Sequence, residues 1–276
     1  MKVAILLTCF NRKEKTLRCL ESIFNLHKEQ NIFIKVYLTN DNCTDGTPDE
    51  VKQKFPEVHI INGNGKLFWN RGMFMAWEEA SKKEPDFYLW LNDDTYVYNN
   101  MLEILLNLSH KYNDQAIIVG ATQSTDHQTT TYGGRLLDGS IPTPKGVSVS
   151  VAYFNGNIVL IPQYVFKIIG NLDYYFTHSK GDYDYGLRAR EKGISIYQAG
   201  EYLGECNKHE TLDNWCNPNI PLRKRWKALH LPNGMPPKET FHLEKRHFGI
   251  YPAIFHFFTI YLRCLCPSIW TKRYQT

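Results

Sequence analysis

The chain predicts an α/β fold: a mostly parallel central sheet flanked by helices, with a helical appendage at the C-terminal end. Three observations predict it. Short apolar runs alternate with helical patterns through the first half. Polar clusters fall at the carboxyl ends of three of those runs. From about Gly204 onward the chain becomes basic, aromatic and punctuated by proline. With 276 residues and 43% hydrophobic content, one sizeable core, or one core plus an appendage, is within reach.

Val3 to Thr8 reads as the first strand. Glu14 to Leu26 reads as a helix, with Leu17, Leu20, Ile23 and Phe24 on one face. Ile32 to Leu38 is a second strand, and a short helix begins near Thr47 with Pro48 in its first turn. Val58 to Ile61 is a third strand. The loop "NGNGKLFWNRG" then leads into a helix from about Asn70 to Lys82. Phe87 to Leu91 is the fourth strand, and Met101 to Lys111 is a further helix. After about residue 125, Thr, Ser, Gly and Pro predict antiparallel strands and loops. Gly181 to Gly193 is a charged helix closed by a C-cap glycine. The domain reading is therefore 1–205 for the α/β body and 206–276 for a basic, aromatic, helical extension.

A net charge of +4 is too small to make nucleic acid the main partner. The seven cysteines are scattered, with no C-x-x-C, which points to a reducing compartment rather than a disulfide framework or zinc site. "MKVAILLTCFNR" is too short in its apolar run for a signal peptide and reads as a buried strand. "IYPAIFHFFTIYL" (250–262) is too short to span a bilayer and is interrupted by Pro252 and His256. Its flanks carry Lys245, Arg246, His247, Arg263, Lys272 and Arg273. Two readings stand for the stretch 245–273: a helix packed on the core, and a peripheral contact with a membrane surface.

The chemistry sits at strand ends, where open α/β sheets bind ligands. The clusters are "TCFNR", "TNDNCTDGT" and "NDDTY". A calcium loop at Asp41 fails, because Cys43 and Lys52 fall where ligands are needed. A capped turn explains Asp45-Gly46-Thr47, while Asp41 at the strand tip could accept from a pyrimidine N–H or a ribose hydroxyl. In "NGNGKLFWNRG" the glycines allow close backbone approach, and Lys66 and Arg71 offer positive charge; Phe68 and Trp69 could equally plug the core. Asp93 and Asp94 repel each other unless a cation joins them, which suits a hard divalent ion completed by substrate phosphates. Asp182 and Asp184 begin a helix, where the dipole favours an anion.

These motifs, in order, resemble the inverting glycosyltransferase family 2 and its GT-A fold over roughly residues 1 to 205. "TCFNR" is similar to the family's T-x-x-N-R strand end, and "TNDNCTDGT" to its D-D-x-S-x-D-G-T turn, with Asn40 and Cys43 as departures. "NDD" is similar to its D-x-D motif with Asn92 first, and "GDYDYGLRAR" to its E-D-x-D-x-x-x-R helix with Gly181 in place of Glu. The resemblance implies Thr8, Asn11, Arg12, Asp41, Lys66, Arg71, Asn92 and Asp93 as the nucleotide-sugar pocket, with Asp41 at the base and Asp93 at the ribose. It implies Asp94 as ligand to Mn²⁺ or Mg²⁺, Asp182 as catalytic base and Arg188 as a supporting charge. His209 lies near the place of a metal- or phosphate-binding histidine. The implied reaction carries a sugar from a nucleotide-diphosphate donor to a hydroxyl of a glycan or lipid-linked acceptor, with inversion, in cytoplasmic synthesis of a surface polysaccharide. A sugar nucleotidyltransferase would need a glycine-rich loop where "TCFNRKEK" has no glycine. A degenerate, non-catalytic glycan- or nucleotide-sugar-binding protein stays open because of Asn92 and Gly181.

Overall fold

Strand β1 (Lys2–Cys9) is apolar on both faces, and the architecture follows from that. Val3, Ile5, Leu7 and Cys9 enter one core, while Ala4 and Leu6 enter another. A strand buried on both sides needs helices on both sides. In the computed structural model, which describes residues 1–27, 31–208 and 213–271, they are supplied in alternation. Helix α1 (Lys13–Phe24) lays Leu17, Leu20 and Ile23 in the first core. Strand β2 (Phe33–Asn40), α2 (Thr47–Lys54), β3 (His59–Asn62) and α3 (Phe68–Ser81) follow. Then come β4 (Phe87–Leu91), β5 (Tyr96–Val97) and α4 (Met101–Lys111). Helices α2 and α4 join the first core through Val51, Leu102 and Leu105; α3 joins the second through Met73 and Trp77.

The second half adds β6 (Ile117–Gln123), β7 (Thr130–Tyr132), β8 (Gly134–Arg135), β9 (Val149–Ser150), β10 (Tyr153–Phe154) and β11 (Ile158–Pro162). It continues with α5 (Gln163–Ile169), α6 (Gly181–Glu191) and β12 (Ile196–Glu205). The main sheet runs β3-β2-β1-β4-β11-β6-β12-β5, with β7 on β6 and β9 on β12. Pairings β1–β2, β1–β4, β2–β3 and β6–β12 are parallel, and β11 is antiparallel to β4 and β6. The carboxyl ends of β1, β2 and β4 therefore share one edge of the sheet.

Two differences from the sequence reading matter for the site. Strand β2 runs to Asn40, so Asp41 is the first residue past the sheet. Helix α3 begins at Phe68 rather than Asn70, which puts Trp69 and Asn70 in its first turn.

The chain divides into two compact units: Met1–Tyr174 with Gly181–Lys208, and Tyr175–Lys180 with His209–Thr276. The second holds α7 (Leu222–Leu229), α8 (Pro237–His247), α9 (Ile250–Leu265) and α10 (Ser268–Thr271). Its small core is Trp215, Cys216, Leu229, Ile260 and Cys264. Arg225, buried, donates to the carbonyls of Cys264 (2.8 Å), Leu265 (3.2 Å) and Ile220 (2.6 Å). A guanidinium on the last carbonyls of α9 satisfies orphan acceptors and complements the helix dipole. Pro252, expected to interrupt the apolar run, lies in the first turn of α9, where its missing N–H costs nothing, and the helix runs 16 residues. His256 pairs with Glu244 of α8 at 2.7 Å. Among the described residues no helix is long and apolar enough to cross a membrane.

Candidate active site

At the end of β1 the chain turns through Asn11, in the left-handed region at φ +50°, and α1 begins after Arg12. This throws the Arg12 side chain toward the end of β4. Its guanidinium contacts Asp93 Oδ1 at 3.1 Å and also Asp94 Oδ2. Lys15, one turn on, stands 3.9 Å from Asp94 Oδ2. Asp93 is buried and also accepts from the Thr16 hydroxyl at 3.1 Å. Burial pushes the Asp93 carboxyl up to about 6; Arg12 opposes the rise and neighbouring Asp94 adds to it. Two cations thus face two carboxylates at the tip of β4.

Asp41, just past β2, is also buried, and it organises the glycine loop. Its Oδ1 accepts from Gly65 N–H at 2.7 Å, and its Oδ2 accepts from Leu67 at 2.9 Å and Phe68 at 3.1 Å. A carboxylate offers about four acceptor directions, so one on Oδ1 remains for a ligand. Asn40 explains its own departure from the family acid. Its Oδ1 accepts Cys43 N–H at 2.9 Å, while its Nδ2 donates to Asn62 Oδ1 at 3.2 Å, which an aspartate could not do. Cys43 Sγ lies 3.7 Å from Cys9 Sγ and accepts Asn11 N–H at 3.2 Å. The Cys9 thiol, with help from that N–H, lowers the Cys43 thiol to about 7.

A third group of contacts joins the Asn92-Asp93-Asp94 cluster to the helix at 181. Trp69 Nε1 donates to Asn92 Oδ1 at 2.7 Å. The Trp69 ring lies against Gly156, where any Cβ would run into it. Gly156 N–H in turn donates to Asp182 Oδ2 at 3.1 Å, and Tyr183 N–H donates to Asp182 Oδ1 at 2.9 Å. Gly181 is packed so closely on Asn70 that a side chain there would overlap the Asn70 amide. The family's glutamate has no room at this position. Trp69, Asn70 and Gly156 escaped the sequence reading as site residues. The signal was present for the first two, as a tryptophan-asparagine pair directly after a glycine loop.

The other expected residues make contacts of their own. Thr8, at the end of β1, packs under α3 at Gly72, where a Cβ would overlap its hydroxyl. Asn11 Oδ1 accepts Thr44 N–H at 2.7 Å, bracing one strand-end loop on the next. Lys66 is exposed on the glycine loop. Arg71 donates to the Tyr174 carbonyl at 3.1 Å and stacks over that ring. Arg188, expected as a charge near donor or acceptor, pairs with buried Asp184 at 2.7 Å and donates to the carbonyls of Ile169 and Asn171. His209 lies outside the described residues.

The donor set fits a hard divalent cation in one way. Asp94 turns Oδ2 to Arg12 and Oδ1 toward Cys206 Sγ, 3.9 Å away. Among the described residues no group of three or more His, Cys, Asp or Glu could cage a metal ion. A carboxylate supplemented by substrate phosphates is the usual coordination of Mg²⁺, and Asp94 can supply that carboxylate.

The fold is of the GT-A type, and the comparisons agree. The model of the family described as "Glycosyl transferase family 2" matches residues 4–149, so the chain belongs to that family. Solved structures of S. aureus TarS are similar to it. The TarS 1–349 complex with UDP-GlcNAc matches at TM-score 0.59 and 12% identity, covering 93% of this chain and 73% of that one. The UDP complex matches at TM-score 0.57 and 13% identity, covering 75% and 60%. At such identities the likeness is one of fold. The chain spans 60% of the length of the first TarS structure matched. No curated protein matches the sequence.

Proposed function

We propose that the chain is an inverting, metal-dependent glycosyltransferase that moves a sugar from a nucleotide-diphosphate donor to a hydroxyl of a glycan or lipid-linked acceptor. The observation that carries this reading is the relay Asn92–Trp69–Gly156–Asp182. It ties the acidic tip of β4 to a single carboxylate at the start of α6, across one tryptophan.

In this reading the loop ordered by Asp41 holds the nucleoside, and Asp93 approaches the ribose. Thr8, Asn11 and Asn92 frame the pocket, and Arg12, Lys66 and Arg71 supply positive charge for the diphosphate. A divalent cation at Asp94, Mn²⁺ or Mg²⁺, would offset the charge that builds on the leaving group. Asp182 accepts the proton of the acceptor hydroxyl as that oxygen bonds to the anomeric carbon. The bond from that carbon to the diphosphate breaks on the opposite face. One displacement releases nucleoside diphosphate and inverts the configuration. Two main-chain N–H groups hold Asp182 in orientation before substrate arrives.

The TarS complexes make UDP-sugars the first donors to test. We place the reaction in the cytoplasm, in synthesis of a surface polysaccharide. The test is a panel of nucleotide sugars with Mn²⁺ or Mg²⁺, reading nucleoside diphosphate release. One donor should give metal-dependent release that Asp94→Ala abolishes. Unchanged activity in Asp94→Ala would remove the metal assignment; binding without turnover for every donor would favour the non-catalytic reading.

A further inference from the structure

Helix α9 turns its bulkiest side chains away from its own unit. Ala253, Ile260 and Cys264 form its buried edge. On the opposite side Tyr251, Ile254, Phe255, Phe258, Leu262 and Leu265 recur at helical spacing and make one continuous exposed row. Tyr251 is 85%, Phe255 65% and Phe258 67% exposed. From Phe248 to Leu262 the chain carries no lysine, arginine, aspartate or glutamate. A helix of a water-soluble unit is built the other way round, so this row marks an interaction surface.

Charge identifies the partner. Residues 213–276 hold ten lysines and arginines against three acids, whereas residues 1–212 hold twenty-two against twenty-five. Exposed Lys245 and Arg246 immediately precede α9, and Arg263 closes it. A second copy of the chain would bring this basic segment against itself. An anionic surface with an apolar interior meets both the row and its charges. We propose that α9 docks an anionic lipid bilayer, lying in the plane of the interface with its aromatic row in the headgroup boundary. The proposal rests on the second unit alone and is independent of the transferase reading.

Flotation of the whole chain tests it, with vesicles of phosphatidylcholine alone and of an equimolar mixture with phosphatidylglycerol. The protein should float with the mixed vesicles and remain behind with phosphatidylcholine. Phe255→Ser with Phe258→Ser should lower partitioning at least about tenfold, as expected for two withdrawn aromatic side chains. Lys245→Gln with Arg246→Gln should lower it about thirtyfold, from roughly 1 kcal/mol per basic residue. All four side chains are solvent-facing or at the helix boundary, so an unchanged thermal melt checks that each variant folds. Failure of the wild type to float, equal binding to both vesicles, or full binding by the serine variant would overturn the proposal. A dimer in sedimentation that the serine variant dissolves would do so too, by assigning the face to a second copy. No turnover enters these measurements.

Discussion

Trp69 Nε1 donates to Asn92 Oδ1 across 2.7 Å, and this bond orients the first residue of the Asn92-Asp93-Asp94 cluster. With Oδ1 engaged, the Asn92 amide presents its N–H donors on its remaining side. The asparagine also avoids a third negative charge beside Asp93 and Asp94. Trp69→Phe removes the donor and, with it, the outer indole atoms Cζ2 and Cη2 that lie against Gly156. A net hydrogen bond of about 1 kcal/mol predicts a roughly threefold to tenfold fall in kcat/KM, carried by the KM for donor. Initial rates at varied donor concentration check this; a lowered melting temperature with unchanged kinetics would make the bond structural only.

Arg12 pairs with Asp94, the carboxylate that the proposed cation would bind, and with its neighbour Asp93. Arg12→Ala should therefore destabilise the metal-free protein by about 1–3 kcal/mol, because it leaves Asp93 buried beside a like charge. The same variant should gain more thermal stability from added Mn²⁺ than the wild type does, since the cation then replaces the guanidinium. Melting curves with and without Mn²⁺ decide it. An equal metal-induced shift in both proteins would separate Arg12 from the cation site.

Asp93 makes a pH prediction with a definite sign. Its carboxyl is raised from 3.8 to about 6, with burial the first cause. A raised acid holds its proton more firmly when folded. Its contribution is full below the unfolded value and is lost as pH rises through about 6. In the metal-free protein, the stability of wild type minus Asp93→Asn should fall by up to about 3 kcal/mol between about pH 4 and about pH 7. Denaturant unfolding at both pH values measures it, and a difference that does not change with pH would contradict the shift.

Much of this arrangement was legible before the structure. The runs at 3–8 and 87–91 are apolar on both faces, so their burial and their polar ends could be read directly. Other parts depended on distance in sequence. Strand β6, within "AIIVGATQ", and helix α5, only seven residues after Pro162, are too short for periodicity to announce. Gly181 looked like a lost acid until Asn70 was found against it. Asn92 looked like a weakened D-x-D until Trp69 was found on its oxygen. Arg188 reads as a supporting charge from its motif, and the structure adds that it pairs with Asp184 and donates to two carbonyls. For Gly181 and Asn92 the deciding partner lies on another element, where local pattern carries no signal.

The central claim, that Asp182 is the base of a sugar transfer from a nucleotide donor, is tested most directly by Asp182→Asn. The amide keeps the shape at Gly156 but cannot take the acceptor's proton. With the donor found active in the panel, the account predicts turnover lowered at least about a hundredfold, the usual range for a general base, with the donor Kd by calorimetry unchanged. Wild-type turnover in Asp182→Asn would contradict it.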